Sequence, residues 1–187
     1  TSRRVHLDGT PTAVLTLSGG TNTIGGGSTV SNIKVVNSSA STASSCFLVE
    51  DRKAIAFYNA ELDGGVGFAI HASRSTCFIL DNTYAHSTGE YVLHLYEDSD
   101  GTGYFRTSAV IRNGSHIFGN GRGAIHVDDR VTVYAENSTI RNVYDGYLYA
   151  GSQFGAVGAL LFDTHFNQGG IFHGKNVRLE CECTAAD

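Results

Sequence analysis

Apolar and polar residues alternate with period two in short runs along the chain, and the runs close on a recurring polar residue. Six segments superpose on it: Ile33-Lys34-Val35-Val36-Asn37, Ile55-Ala56-Phe57-Tyr58-Asn59, Phe78-Ile79-Leu80-Asp81-Asn82, Ala109-Val110-Ile111-Arg112-Asn113, Val133-Tyr134-Ala135-Glu136-Asn137 and Ala159-Leu160-Leu161-Phe162-Asp163. Leu179-Glu180-Cys181-Glu182-Cys183 fits as a looser seventh, with Cys in the closing place. Positions four and two before the closing residue are apolar in every copy, which puts both on the core face of a strand. The positions between them run from Lys34 and Asp81 to Leu160 and Phe162, so the opposite face is surface. Asn suits a strand end because it tolerates the left-handed conformation of a sharp turn and its amide can bond the neighbouring backbone. Stacked copies can also bond one another through their amides.

A second strand follows each corner: Phe47-Leu48-Val49, Ala69-Ile70-His71, Val92-Leu93-His94, Ala124-Ile125-His126, Tyr147-Leu148-Tyr149 and Gly170-Ile171-Phe172. Its middle residue is always Leu or Ile. Each repeat therefore carries at least two strands and one fixed corner, at a repeat length in the range of solenoid coils. The reading is all-β: parallel coils stacked in register into a single domain over residues 1–187, with about seven rungs. Residues 1–20 form an irregular lead-in or first rung, and residues 97–108 a protruding loop. A sandwich gives no reason for a recurring Asn corner. The hexapeptide period of a left-handed β-helix, the calcium-binding nonapeptide and an amphipathic helix are all missing from the pattern.

Composition narrows the setting. Of 187 residues, 23 are Gly and one is Pro, and only 17% are charged, a mix suited to strands and tight turns. The net charge of −5 and the lack of a basic patch speak against a nucleic-acid partner, and no apolar run is long enough to span a membrane. No secretory signal is legible, and Thr1 as first residue fits a processed mature chain or a piece of a longer one. The four cysteines, Cys46, Cys77, Cys181 and Cys183, follow neither a CxxC nor a zinc spacing and read as buried thiols.

With its Asn-cornered strands and the opening Gly25-Gly26-Gly27-Ser28-Thr29-Val30-Ser31-Asn32-Ile33-Lys34-Val35, the chain resembles the pectin-lyase-like superfamily of right-handed parallel β-helices over roughly residues 20–183. That resemblance implies a right-handed coil and contact with carbohydrate, since the superfamily holds polysaccharide lyases and hydrolases as well as bacteriophage tailspikes, which are commonly trimers. The polygalacturonase-like succession of Asn-Thr-Asp, Asp-Asp, Gly-His-Gly and Arg-x-Lys is not reproduced; Asp128-Asp129 is its one echo. The expected role is thus a glycan-recognising or structural module of a virion spike or extracellular fibre, with a homo-oligomer or larger assembly as its setting. The alternatives are a polysaccharide hydrolase or lyase and a subunit of an extracellular filament. No cofactor or resident metal is expected.

Three groups of residues carry candidate chemistry. His71, His94 and His126 follow an inward Leu or Ile in three successive repeats, with Tyr149 and Phe172 continuing the column. Such rings can stabilise the solenoid as a stacked, partly buried column, meet a second subunit, line a sugar strip or share a metal ion. Asp81, Arg112 and Glu136 each precede the corner Asn. The two carboxylates are two coils apart, about 9–10 Å, near the range for inverting glycosidases, and with Arg112 between them an exposed ion-pair ladder is the simpler account. Tyr58 and Phe162 add flat faces beside them, and Asp128 and Asp129 are the alternative acids. In the insertion Glu97–Arg106, Tyr104 and Arg106 are candidate recognition residues.

Overall fold

The structure is a computed structural model that describes residues 4–10, 12–19, 21–50, 53–74, 76–96, 106–128, 130–144, 158–162 and 170–183. Its strands recur in triplets. They are β1 (His6–Asp8), β2 (Val14–Leu17) and β3 (Thr21–Thr23), then β4 (Ser28–Ser31), β5 (Lys34–Asn37) and β6 (Ser45–Val49). Next come β7 (Ala54–Tyr58), β8 (Glu61–Asp63) and β9 (Phe68–Ala72), followed by β10 (Cys77–Asp81), β11 (Tyr84–Ser87) and β12 (Tyr91–Leu95). The series continues with β13 (Thr107–Arg112), β14 (His116–Gly119) and β15 (Gly123–Val127). The last three strands are β16 (Val131–Tyr144), β17 (Gly158–Phe162) and β18 (Ile171–Cys183).

From β1 to β13 each strand pairs in parallel with the strand of the same rank in the next triplet, whereas β14 pairs with β16 and β15 with β17. The first face runs β1-β4-β7-β10-β13-β16, the second runs β2-β5-β8-β11-β14-β16, and the third runs β3-β6-β9-β12-β15-β17. The long strand β16 belongs to both of the first two faces, and β18 pairs along its whole length. The outcome is an all-β, parallel, solenoid-like fold, strongly curled around one core.

Period-two alternation fills that core. On the first face Ile55, Phe78, Ala109 and Val133 lie in one register column, and Phe57, Leu80, Ile111 and Ala135 in the next; each is 3% exposed or less. Leu62, Ala85, Ile117 and Ile140 form the inner column of the second face. Ile70, Leu93 and Ile125 do so on the third. The corner from first to second face is made by Asn32, Asn59, Asn82, Asn113, Asn137 and Asn176, all with φ between 47° and 56°. The Asn59 amide donates to Asn32 Oδ1, the Asn82 amide to Asn59 Oδ1 at 2.8 Å, and the Asn176 amide to Asn137 Oδ1 at 3.1 Å. Asn113 departs from the ladder and donates to Asp81 Oδ1 instead. The next corner needs glycine: a Cβ on Gly121 would sit 2.6 Å from the Gly89 carbonyl oxygen of the coil beneath.

The structure changes the sequence alignment at both ends. Ile33–Asn37 is not a first-face segment: Lys34–Asn37 is β5, on the second face, and the first-face strand of that coil is β4 with Asn32 as its corner. The place of Ile33 in the inner column is taken by Ser28, opposite Ile55. Hydrophobic count favoured Ile33 and Val35, whereas the left-handed corner falls five residues earlier. Ala159–Phe162 falls within β17, on the third face, and Phe172 lies on the first, opposite Val133 and packed against the core rather than outward in the ring column. Cys181 is exposed, because no described strand lies beyond β18; Cys77 is half-buried and Cys46 fully buried. The side chain of Cys183 lies outside the described residues.

Candidate functional site

On the first face, outward positions between the core residues make two columns. One holds Tyr58, Asp81 and Arg112 on neighbouring strands, followed by Glu136 and, opposite it, Lys175. Arg112 Nε donates to Asp81 Oδ2 at 2.8 Å, and the second Asp81 oxygen accepts from the Asn113 amide at 2.9 Å. Lys175 Nζ donates to Glu136 Oε1 at 2.8 Å, and that pair is exposed to solvent. The expected Tyr58, Asp81, Arg112 and Glu136 are thus brought together in one column, and the two carboxylates act as acceptors in an alternating ladder of charge.

The adjoining column runs Ile79, Val110, Tyr134, His173. Tyr134 and His173 stack with ring centroids 5.0 Å apart and planes 9° from parallel. Tyr134 is 48% exposed, although it lies between the buried Val133 and Ala135, because alternation turns it out. The two columns border a groove of about 480 Å³, with Arg112, Tyr134, Glu136, His173 and Lys175 around it and Val110 and Phe172 among its apolar lining. A flat ring pair beside cationic and anionic groups is a surface that can stack the C–H face of a ring-shaped ligand and bond its hydroxyls.

The third face is built differently. His71, His94 and His126 occupy one register column, as the sequence predicts, between Leu48 and the position of Leu161. Their rings stack at 4.7 and 4.9 Å, with planes 18° and 13° apart. Phe68 stacks on His94, Tyr91 on His126, and Tyr96 flanks both His71 and His94. His126 is only 7% exposed. Burial pushes the His71 pKa down to about 4, and that of His94 well below its ordinary value, where the neighbouring His71, His126 and Arg122 add to the effect. Neither His71 Nε2 nor His94 Nδ1 has a hydrogen-bond partner among the described residues. The three imidazoles form a packed ring stack in which His71 and His94 disfavour the charged form.

The second face carries residues that the sequence reading passed over. Glu61 and Asp63, Tyr84 and His86, and His116 and Phe118 face outward from β8, β11 and β14 in register. Lys34 Nζ donates to Glu61 Oε1 at 2.7 Å, and His86 Nε2 lies 3.2 Å from the same oxygen. Burial raises the Glu61 pKa, but the bonds it accepts from Lys34 and His86 outweigh it and hold the carboxyl below its ordinary range. Tyr84 stacks on His86 at 4.8 Å, and the Arg141 guanidinium lies 5.8 Å over the Phe118 ring. A signal existed: two, three and four residues past Asn59 and Asn82 the chain reads Glu-Leu-Asp and Tyr-Ala-His, an apolar residue between two polar or aromatic ones. These runs are three or four residues long and fell between the strands that the longer pattern singled out.

The remaining candidates are scattered. Asp128 is buried at the corner after β15, its backbone amide on Leu95 O, and five residues of strand (about 17 Å) separate Val131 from Glu136. Phe162 is exposed at the end of β17, on the third face, away from Tyr58. Arg106 is exposed just before β13. Asp129, Tyr104 and Tyr149 lie outside the described residues. Among the described residues no group of His, Cys, Asp and Glu has a metal-holding arrangement, and no helix is long and apolar enough to cross a membrane. Comparison with known proteins gives no match among family models, curated proteins or solved structures.

Proposed function

We propose that the chain is a right-handed parallel β-helix module of about seven rungs, of the pectin-lyase-like kind, that recognises polysaccharide on its first face. Right-handedness follows the strong general preference of crossover connections between parallel strands. The observation that carries the glycan reading is the Tyr134–His173 ring pair, set flat in a groove beside the charged column of Arg112, Glu136 and Lys175. Sugar rings present an apolar face and a rim of hydroxyls, and rings plus charge-assisted donors and acceptors match both. A rigid solenoid repeats such a surface along its axis, which suits a long polymer. A virion spike or extracellular fibre is the setting in which such a module meets host glycan.

Binding rather than cleavage is the reading the geometry favours. Asp81 and Glu136 are both engaged by cations, and Arg112 lies between them. A glycan array followed by assay for reducing-end release tests this. The expected result is binding without release, weakened at least about tenfold by Tyr134→Ala with an unchanged melting temperature. An array without a hit, or Tyr134→Ala binding as the parent does, removes the proposal. Release abolished by Glu136→Gln would establish a hydrolase or lyase instead.

A further inference from the structure

One corner of the Asn ladder carries an extra residue, and it borders the groove. Asn82 and Thr83 separate Asp81 from Tyr84, whereas Asn113, Gly114 and Ser115 separate Arg112 from His116, their register partners. Asn113 and Gly114 are both left-handed, at φ 56° and 83°. Gly114 takes over the backbone bond of the corner: its N–H donates to Asn137 O at 2.7 Å, as those of Asn59 and Asn82 donate to Asp81 O and Arg112 O. It also fills the ladder place above Asn82, since a Cβ on it would lie 3.6 Å from Asn82 Oδ1. Glycine has no amide with which to continue the ladder. Asn113 stands one place earlier, and its amide donates to Asp81 Oδ1 at 2.9 Å.

That bond fixes more than Asp81. One Asp81 oxygen is held by Asn113 and the other by Arg112 Nε at 2.8 Å, so carboxylate and guanidinium orient each other. The ion pair uses Nε, and neither Nη of Arg112 donates a hydrogen bond to a described residue. Arg112 borders the groove and Asp81 does not, so the counter-charge stays outside it. Glu136, the carboxylate that does border it, is engaged by Lys175. A guanidinium anchored through Nε presents its two Nη groups as parallel donors, a fork suited to two oxygens held side by side. Saccharides offer such a pair as neighbouring hydroxyls or as a carboxylate.

We propose that Arg112 anchors saccharide in the first-face groove, gripping two adjacent sugar oxygens with its Nη pair, and that Asn113 is a positioning residue acting through Asp81. This rests on the glycan reading of the groove and adds which side chain holds the sugar and what aims that side chain. The Asn59, Asn82 and Asn176 amides all bond the Asn of the coil before. Only at the corner beside Arg112 is the amide turned onto a carboxylate, and departures from a repeating local rule are expected where a site is built.

The glycan array, printed with neutral and carboxylate-bearing saccharides, tests this when read with variants whose circular dichroism matches the parent. Arg112→Ala should weaken every hit about tenfold or more, and Arg112→Lys nearly as much, because lysine keeps the charge without the fork. Asn113→Gly accepts the left-handed corner and removes only the amide. It should weaken hits about threefold to fivefold, and have no effect once Arg112 is Ala. Asn59→Gly removes a ladder amide elsewhere and should leave binding unchanged. Hits confined to carboxylate-bearing sugars would support a carboxylate as the gripped pair; neutral hits lost with Arg112→Ala would support hydroxyls. Hits that survive Arg112→Ala or Arg112→Lys at parent strength overturn the anchor and leave the glycan reading standing, whereas an array without a hit removes both. An Asn113→Gly effect of equal size in the Arg112→Ala background overturns the positioning role.

Discussion

Replacing His71 with Phe should abolish much of the protein's sensitivity to mild acid. His71 is stacked between Phe68, His94 and Tyr96, and burial pushes its pKa down to about 4 from an ordinary 6.5. The unfolded chain therefore takes up a proton near pH 6.5 that the folded chain refuses until about pH 4. Between those values the unfolded state binds more protons, so stability falls as pH falls, and the loss is complete below the folded pKa. For a single group shifted this far, linkage gives a loss of about 2 kcal/mol between pH 7 and pH 5, and about 3 kcal/mol by pH 4. His94 shifts in the same direction and adds to it. Glu90 acts oppositely: burial raises its carboxyl pKa, so its contribution improves as pH falls. Comparing parent and His71→Phe at each pH cancels that term. Phe keeps an apolar ring in the stack and removes the unbonded Nε2. Urea unfolding at pH 7 and pH 5 should show the variant gaining about 2 kcal/mol on the parent over that interval. A stability difference that is the same at both pH values would refute the burial of a neutral imidazole at this position.

Three further outcomes can be checked by simple measurements. Asn82→Ala should cost about 1–2 kcal/mol in urea unfolding, because it places a Cβ-only residue at φ 47° and removes the amide bond to Asn59, whereas Asn82→Gly should cost less. Cys46, whose pKa burial pushes up to about 12, should resist a thiol-specific reagent at pH 8 in the folded protein, while the exposed Cys181 reacts at once. Phe78→Ala should destabilise by about 3–5 kcal/mol, since its side chain is fully buried between the coils of Ile55 and Ala109.

Stacked parallel strands were legible wherever three signals coincided. At Asn59, Asn82, Asn113 and Asn137, a corner Asn follows two apolar residues at spacing two, and the structure places all four in the φ region that the turn requires. At the ends the signals separate. Asn32 is preceded by Ser28 and Val30, of which only Val30 is apolar, so Asn37 looked better on hydrophobic count although it is a buried strand residue donating to Ser44 and Gly64. Asn176 follows Phe172 and Gly174, and again the apolar pattern is broken. The left-handed corner is therefore the stronger constraint, and composition of the preceding strand the weaker. The ring column of His71, His94 and His126 was legible from register alone, but its burial was not, because side-chain spacing says which residues align and not what packs beside them. Phe68, Tyr91 and Tyr96 supply that packing from positions the alternation pattern does not mark.

The three faces use one register rule for different physical ends. On the third face His71 and His94 are enclosed by aromatic neighbours and disfavour the charged form, so they serve cohesion and make acid a threat to it. On the first face the outward column keeps its charges by alternating them: Asp81 with Arg112, Glu136 with Lys175. Exposed pairs of this kind add little stability, generally under about 1 kcal/mol each. Their alternation is better understood as keeping like charges from stacking at strand spacing, where repulsion would act on every coil. The same rule gives the groove its character, since a column of paired charges beside Tyr134 and His173 offers both donors and acceptors next to a flat apolar surface.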